Sequence, residues 1–339
     1  MKFSAGLATD QIPRRGLSRW WPTLRIGLAL SLLALLFYIA NARDVLLVFA
    51  NLRLIYIVYL LLLSLVLIWL SCLKWRLFVR AAGHDAPVLE LMKIYTMSYF
   101  FNMFMPSSLG GDVARSVQLG QHLKNLTSAF AITFMERVTG FLAMTFLGVI
   151  FVILNVGATA GVEAAILVVA FLTFSGALVC FSERLSLWCF AFSVRVLKFI
   201  GAAGLALKLE ALFQKLIEST AFARNNAPLF GRAMLYSFAF HFFAVVNTYV
   251  AALAIGWYDA SFTSLFIVVP LVLLVSAAPI TPSSIGIQEG AFIYFLKRIG
   301  STSAEGLGVA LILRAKNFIT ALAGGLIWLM YRPKTDPHS

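Results

Sequence analysis

Two acids and two arginines frame the chemistry. Asp112 follows Pro106-Ser107-Ser108-Leu109-Gly110-Gly111, and Glu289 follows Pro282-Ser283-Ser284-Ile285-Gly286-Ile287-Gln288. Arg137 lies 25 residues after Asp112, and Arg314 lies 25 residues after Glu289. Both arginines sit inside apolar runs. Buried charge in an apolar segment is costly, so such residues pair or face a cavity. One chemistry available to them is anion binding. An arginine offers a planar, bidentate donor suited to phosphate. A helix that restarts after a break adds free backbone N–H groups and a favourable dipole. The other possibility is structural: Asp112 braces Arg137 and Glu289 braces Arg314, with each break only a kink.

The breaks have the residues a break needs. Pro106 and Pro282 end the incoming helix. Gly110, Gly111 and Gly286 permit sharp turns or close approach to a ligand. Ser107, Ser108, Ser283 and Ser284 can cap freed amides. Asn102 stands just before the first break, and Gln288 lies within the second. Arg115 and Glu136 add further charge beside Asp112 and Arg137. Glu136 and Arg137 point in different directions on a helix, so each needs another partner. His241 suits an interhelical hydrogen bond or a proton relay. Lys316, two residues beyond Arg314, is expected to snorkel.

The elements that carry these residues are apolar helices. Of 339 residues 61% are hydrophobic and only 12% are charged, whereas a soluble domain carries about 25% charged residues. Mean hydropathy is +0.92. No period-2 alternation suggests a barrel, so the chain reads as an all-α polytopic membrane protein. Its net charge of +13 falls mostly between apolar segments, which suits orientation and anionic head groups rather than nucleic acid. Cys72, Cys180 and Cys189 are scattered, with no metal or disulfide spacing. No nucleotide loop, zincin or serine-hydrolase motif is present, so neither a cofactor nor a metal is expected.

Full spans are expected at 26–40, 54–73, 128–154, 164–181, 233–256 and 304–330. The segment 26–40 also has the outline of a signal peptide ending at Ala40-Asn41-Ala42. A short loop carries Arg43, Asp44 and Arg53. Lys74, Arg76 and Arg80 mark an interface. Residues 88–124 and 262–299 are too short and broken to cross twice comfortably, and are expected to form re-entrant hairpins. The total is about six full spans plus two hairpins, or six to eight spans. The units 54–154 and 233–330 then face opposite ways, an inverted-topology repeat of the kind found in carriers. Residues 1–25 and 331–339 are expected in the cytoplasm, 26–330 as one membrane domain, and 183–232 as cytosolic or interfacial helices.

Taken together, Asn102-x-x-x-Pro106-x-x-x-Gly110-Gly111-Asp112-Val113-x-Arg115, Glu136-Arg137-x-x-Gly140, Pro279-Ile280-Thr281-Pro282-x-x-x-Gly286-x-Gln288-Glu289-Gly290 and Arg314 before Gly324-Gly325 resemble the flippase-like membrane region of lysylphosphatidylglycerol synthases. The resemblance runs from about residue 20 to 330. It implies a lipid-translocating protein of the inner membrane, without the soluble aminoacyl-transferase domain, which is not expected in a chain ending at Ser339. The implied substrate is an anionic phospholipid or a polyprenyl- or hopanoid-type lipid, and the implied partner a lipid-biosynthesis enzyme. Gln288 departs from the basic residue common after the second glycine. Two other functions compete: an accessory subunit of an envelope-building system, and an embedded transferase using Asp112 and Glu289 with a divalent metal.

Overall fold

A computed structural model describes residues 17–50, 52–105, 110–154, 163–199, 221–222, 226–277 and 280–330. Ser107 and Ser108 lie outside the described residues. Every element among those described is helical. They are α1 (Leu17–Ile39), α2 (Ala42–Ala50), α3 (Leu54–Ala81), α4 (Val88–Phe104), α5 (Gly110–Leu123), α6 (Leu126–Leu154), α7 (Glu163–Phe181), α8 (Glu183–Phe199), α9 (Ala227–Ala254), α10 (Phe262–Ser276), α11 (Ile287–Lys297) and α12 (Ser303–Met330). A 3₁₀ turn at Pro282–Ser284 precedes α11.

Four of these helices, α3, α6, α9 and α12, are long and apolar enough to cross a membrane, and five do so if α1 and α2 form one broken span. Their lengths of 28 or 29 residues give about 42 Å each. The chain is a multi-pass membrane protein. The backbone logic is simple: in hydrocarbon every N–H and C=O needs an internal partner, and a helix supplies it.

The centre of the bundle is α3 packed on α9. Around it, α5 packs on α6 and α11 on α12; α4 lies against α12 and α10 against α6. Each broken segment doubles back, α4 onto α5 and α10 onto α11. One core cluster joins α6, α9, α10, α11 and α12 through Val152, Val245, Val268, Leu271, Phe292 and Leu313. The other joins α3, α4, α5 and α6 through Trp75, Phe78, Leu91, Met97, Leu119 and Ile132.

Three local expectations give way. The stretch read as a loop with Arg43 and Asp44 is helix α2, turned 80° from the apolar part of α1; Asn41, at φ +56°, makes the corner. Helix α3 does not stop at 73 but runs to Ala81, taking Lys74 into the interior. Helix α9 starts at Ala227, before the apolar run that marks it. Asn226 explains that start: its side-chain oxygen accepts the Leu229 N–H at 3.0 Å, with a proline in the first turn. Asn226→Ala is expected to cost about 1 kcal/mol, read as a lower unfolding temperature in detergent. An unchanged temperature would mean the cap is idle.

Candidate functional site

The first hairpin closes tightly because Gly111 packs on α4. A Cβ there would lie 2.6 Å from the Ser98 carbonyl oxygen and 3.0 Å from Asn102 Cβ. This brings Asp112, in the first turn of α5, beside α6. Arg137 on α6 pairs with Asp112 through Nη2 and Oδ2. Arg115, one turn along α5, donates from Nε to Asp112 Oδ1 at 3.0 Å. Its Nη1 stands 2.5 Å from Glu136 Oε2, a charge contact without hydrogen-bond alignment. Lys74 Nζ lies 3.3 Å from Glu136 Oε1 and donates to the Glu136 carbonyl at 3.2 Å.

These contacts make one alternating chain: Lys74, Glu136, Arg115, Asp112, Arg137. Three cations share two carboxylates, so the chain carries a formal surplus of one positive charge. Its middle is sealed. Arg115 is 2% exposed and stacks over Trp75 at 5.3 Å and Tyr95 at 4.8 Å, where a planar guanidinium gains cation–π attraction. Its open end is Arg137, whose side chain is 43% exposed and whose sole partner among the described residues is Asp112. Gly110 and Gly111 are buried at the start of α5. Asn102 Oδ1 is buried without a partner among the described residues.

The second hairpin uses the same acid–base pair and closes it further. Arg314 Nε pairs with Glu289 Oε1. Arg314 also donates to the carbonyls of Ser283 at 3.3 Å and Ser284 at 3.5 Å, and to Gln288 Oε1 at 3.3 Å. Glu289 Oε2 accepts the Gly286 N–H at 2.7 Å, half of a capping box. The backbone here is unusual: Ser283, Ser284 and Gly286 have φ of +49°, +54° and +83°. For the serines that is costly, and the contacts of Arg314 to both carbonyls hold it. Ser284 Oγ donates to the Ser276 carbonyl, tying the turn to α10.

The expected pairs Asp112–Arg137 and Glu289–Arg314 are thus both formed, and Glu136 finds its separate partners in Arg115 and Lys74. His241 Nε2 bonds the Gly140 carbonyl at 2.9 Å, linking α9 to α6. Lys316 does not snorkel. It is 6% exposed and donates to Asn247 Oδ1 at 3.2 Å.

Lys74, Trp75 and Tyr95 are site residues that the sequence reasoning passed over. Lys74 heads a basic run that looks interfacial. Yet Leu60, Ser64, Leu67, Ser71, Lys74 and Phe78 recur every three or four residues and all are buried, and that one-sided spacing was the available signal. A groove among the apolar helices lies elsewhere. It is an apolar slot of about 530 Å³ between α6, α9 and α10, lined by Phe151, Phe238, Phe242 and Phe266. No cluster of His, Cys, Asp and Glu able to hold a metal occurs among the described residues.

Comparison with known proteins agrees with the helical architecture. A family model described as the lysylphosphatidylglycerol synthase TM region matches residues 23–325. No curated protein and no solved structure matches.

Proposed function

The chain belongs to the lysylphosphatidylglycerol synthase transmembrane-region family, and from that premise we propose that it translocates an amphipathic lipid with an anionic head group across the inner membrane. The reading rests on Arg137. It is a half-exposed guanidinium with one partner among the described residues, at the open end of a chain with surplus positive charge, beside a broken helix. A phosphate oxygen would meet donors of Arg137, with Asn102, Gly110 and Gly111 at the same break; Ser107 and Ser108 belong to that break in the sequence. Asp112, Arg115 and Glu136 set the field. In the second half Ser283, Ser284, Gly286, Gln288, Glu289 and Arg314 already satisfy one another, so that break serves as the rigid counterpart.

The arrangement of α3, hairpin and α6 beside α9, hairpin and α12 suits an inverted repeat with six spans in all, α1 and α7 included. Both termini then lie in the cytoplasm with the basic segments. A saturated Arg314 favours a second reading, an accessory subunit of a lipid-building system, in which the charges only brace helices.

Proteoliposomes containing fluorescent phosphatidylglycerol or a neutral lipid separate the two. Wild type is expected to move the anionic lipid faster. Arg137→Ala is expected to slow it by about 10- to 100-fold, the worth of one hydrogen bond to a charged group. Folded wild type that moves neither lipid would sink the transport reading.

A further inference from the structure

Among the buried lysines and arginines discussed so far, every one has an acid except Lys316. Lys316 is residue 14 of the 28 in α12, about 20 Å from either end and beyond the reach of its four-carbon stem. Its partner is the neutral amide of Asn247, and no ion pair among the described residues includes it. The packed neighbours explain why. On α12 itself Arg314 is held by Glu289 of α11. On α3, Lys74 is held by Glu136. On α9, His241 bonds the Gly140 carbonyl. On α4, Glu90 and Lys93 pair with each other. On α2, Asp44 lies in the first turn, and α1 contains no acid. An ammonium in this setting has donors with nothing anionic to receive them. Intramembrane ionisable groups are retained for a function by default, and substrate sites in carriers lie near the midplane.

We infer that Lys316 and Asn247 form a second anion site at mid-membrane, which binds the head-group phosphate together with one proton. A buried ammonium with only an amide for a partner has no counter-charge when the site is empty. An arriving anion supplies that counter-charge. One proton from water therefore joins the amine as the phosphate oxygen binds, and both leave together. The inference builds on the lipid-transport reading, with Arg137 as the outer station and Lys316 as the inner one. It makes movement of the anionic head group follow a proton gradient.

Two measurements test it. In detergent at mildly alkaline pH, wild type is expected to take up about one proton per dihexanoylphosphatidylglycerol bound, read with a pH dye in weak buffer. Lys316→Met is expected to take up none. In proteoliposomes with an imposed pH gradient, wild type is expected to carry fluorescent phosphatidylglycerol in the direction of proton flow. Lys316→Arg, permanently charged, should keep downhill movement and lose the response to the gradient. Proton uptake by Lys316→Met equal to wild type, or gradient-driven transport by that variant within twofold of wild type, would overturn the site. Binding with proton uptake but no translocation would keep the site and remove the transport reading instead.

Discussion

Arg115→Ala is expected to destabilise the protein by about 3–5 kcal/mol, the usual cost of removing one partner from a buried ion pair. The loss has two physical parts. Glu136 keeps only Lys74, and Asp112 keeps only the half-exposed Arg137, so one buried carboxylate is left under-compensated. The space between Trp75 and Tyr95 also empties, since Arg115 lies over both rings. Thermal unfolding in detergent reads the effect. Arg115→Lys should recover part of it, because charge returns but the planar fork and stacking do not. Combining Arg115→Met with Glu136→Gln should recover more than either change alone, since the orphaned charge goes with its partner. A single Arg115→Ala variant as stable as wild type would mean that water enters the cluster and the seal around Arg115 is not real.

The second large effect is expected at Gly324. A Cβ there would overlap the Thr96 carbonyl oxygen and lie 2.8 Å from its carbon. Those are backbone atoms of α4, which cannot swing aside. Helices α4 and α12 therefore touch main chain to main chain, the close approach that small residues allow in membranes. Gly324→Ala should force the helices apart and cost about 1–3 kcal/mol, with Gly324→Leu worse. Gly325→Ala is the control. Its Cβ would meet the Phe100 ring at 2.7 Å, and a side chain at a helix surface can rotate away. Unfolding temperatures should rank wild type, Gly325→Ala, Gly324→Ala, Gly324→Leu from high to low. Equal losses at the two glycines would show that the α4–α12 contact is looser than described. Because α4 leads into the first break and α12 carries Arg314 and Lys316, the proposed lipid transport should fall with stability in this series.

The acid–base pairs of both breaks were legible in the sequence because physics leaves few options there. A carboxylate and a guanidinium in apolar surroundings must meet something, and a shared 25-residue spacing joins Asp112 to Arg137 and Glu289 to Arg314 in the same way. The helical breaks were legible for a similar reason, since proline and glycine change the backbone whatever surrounds them. What hydropathy hid was the difference between a charge near water and a charge facing inward. Lys74 and Lys316 look alike in that respect, and both look like interface residues. One is bound by Glu136 and the other by an amide. Tertiary packing alone separates them. The aromatic cage of Arg115 was hidden too, because Trp75, Tyr95 and Arg115 come from three helices and no local pattern joins them. The start of α9 was readable after all: Asn226 followed by Pro228 is a helix-start signal that the polar character of the preceding segment masked.

The contact between α1 and the second hairpin has a consequence of its own. Gly286 turns with φ +83° directly against α1, where a Cβ would lie 2.5 Å from Leu32 Cβ, and Leu36 and Ala29 are buried nearby. Helix α1 thus acts as a door leaf shut over one side of the bundle, latched by a leucine where a side chain on the opposing turn would leave no room. On the lipid-transport reading, a lipid tail approaching the second hairpin from this side would meet that leaf first. The two halves, similar in their acids and arginines, are therefore unequal in access, and an amino-terminal truncation that removes α1 would unlatch one of them and leave the other as it was.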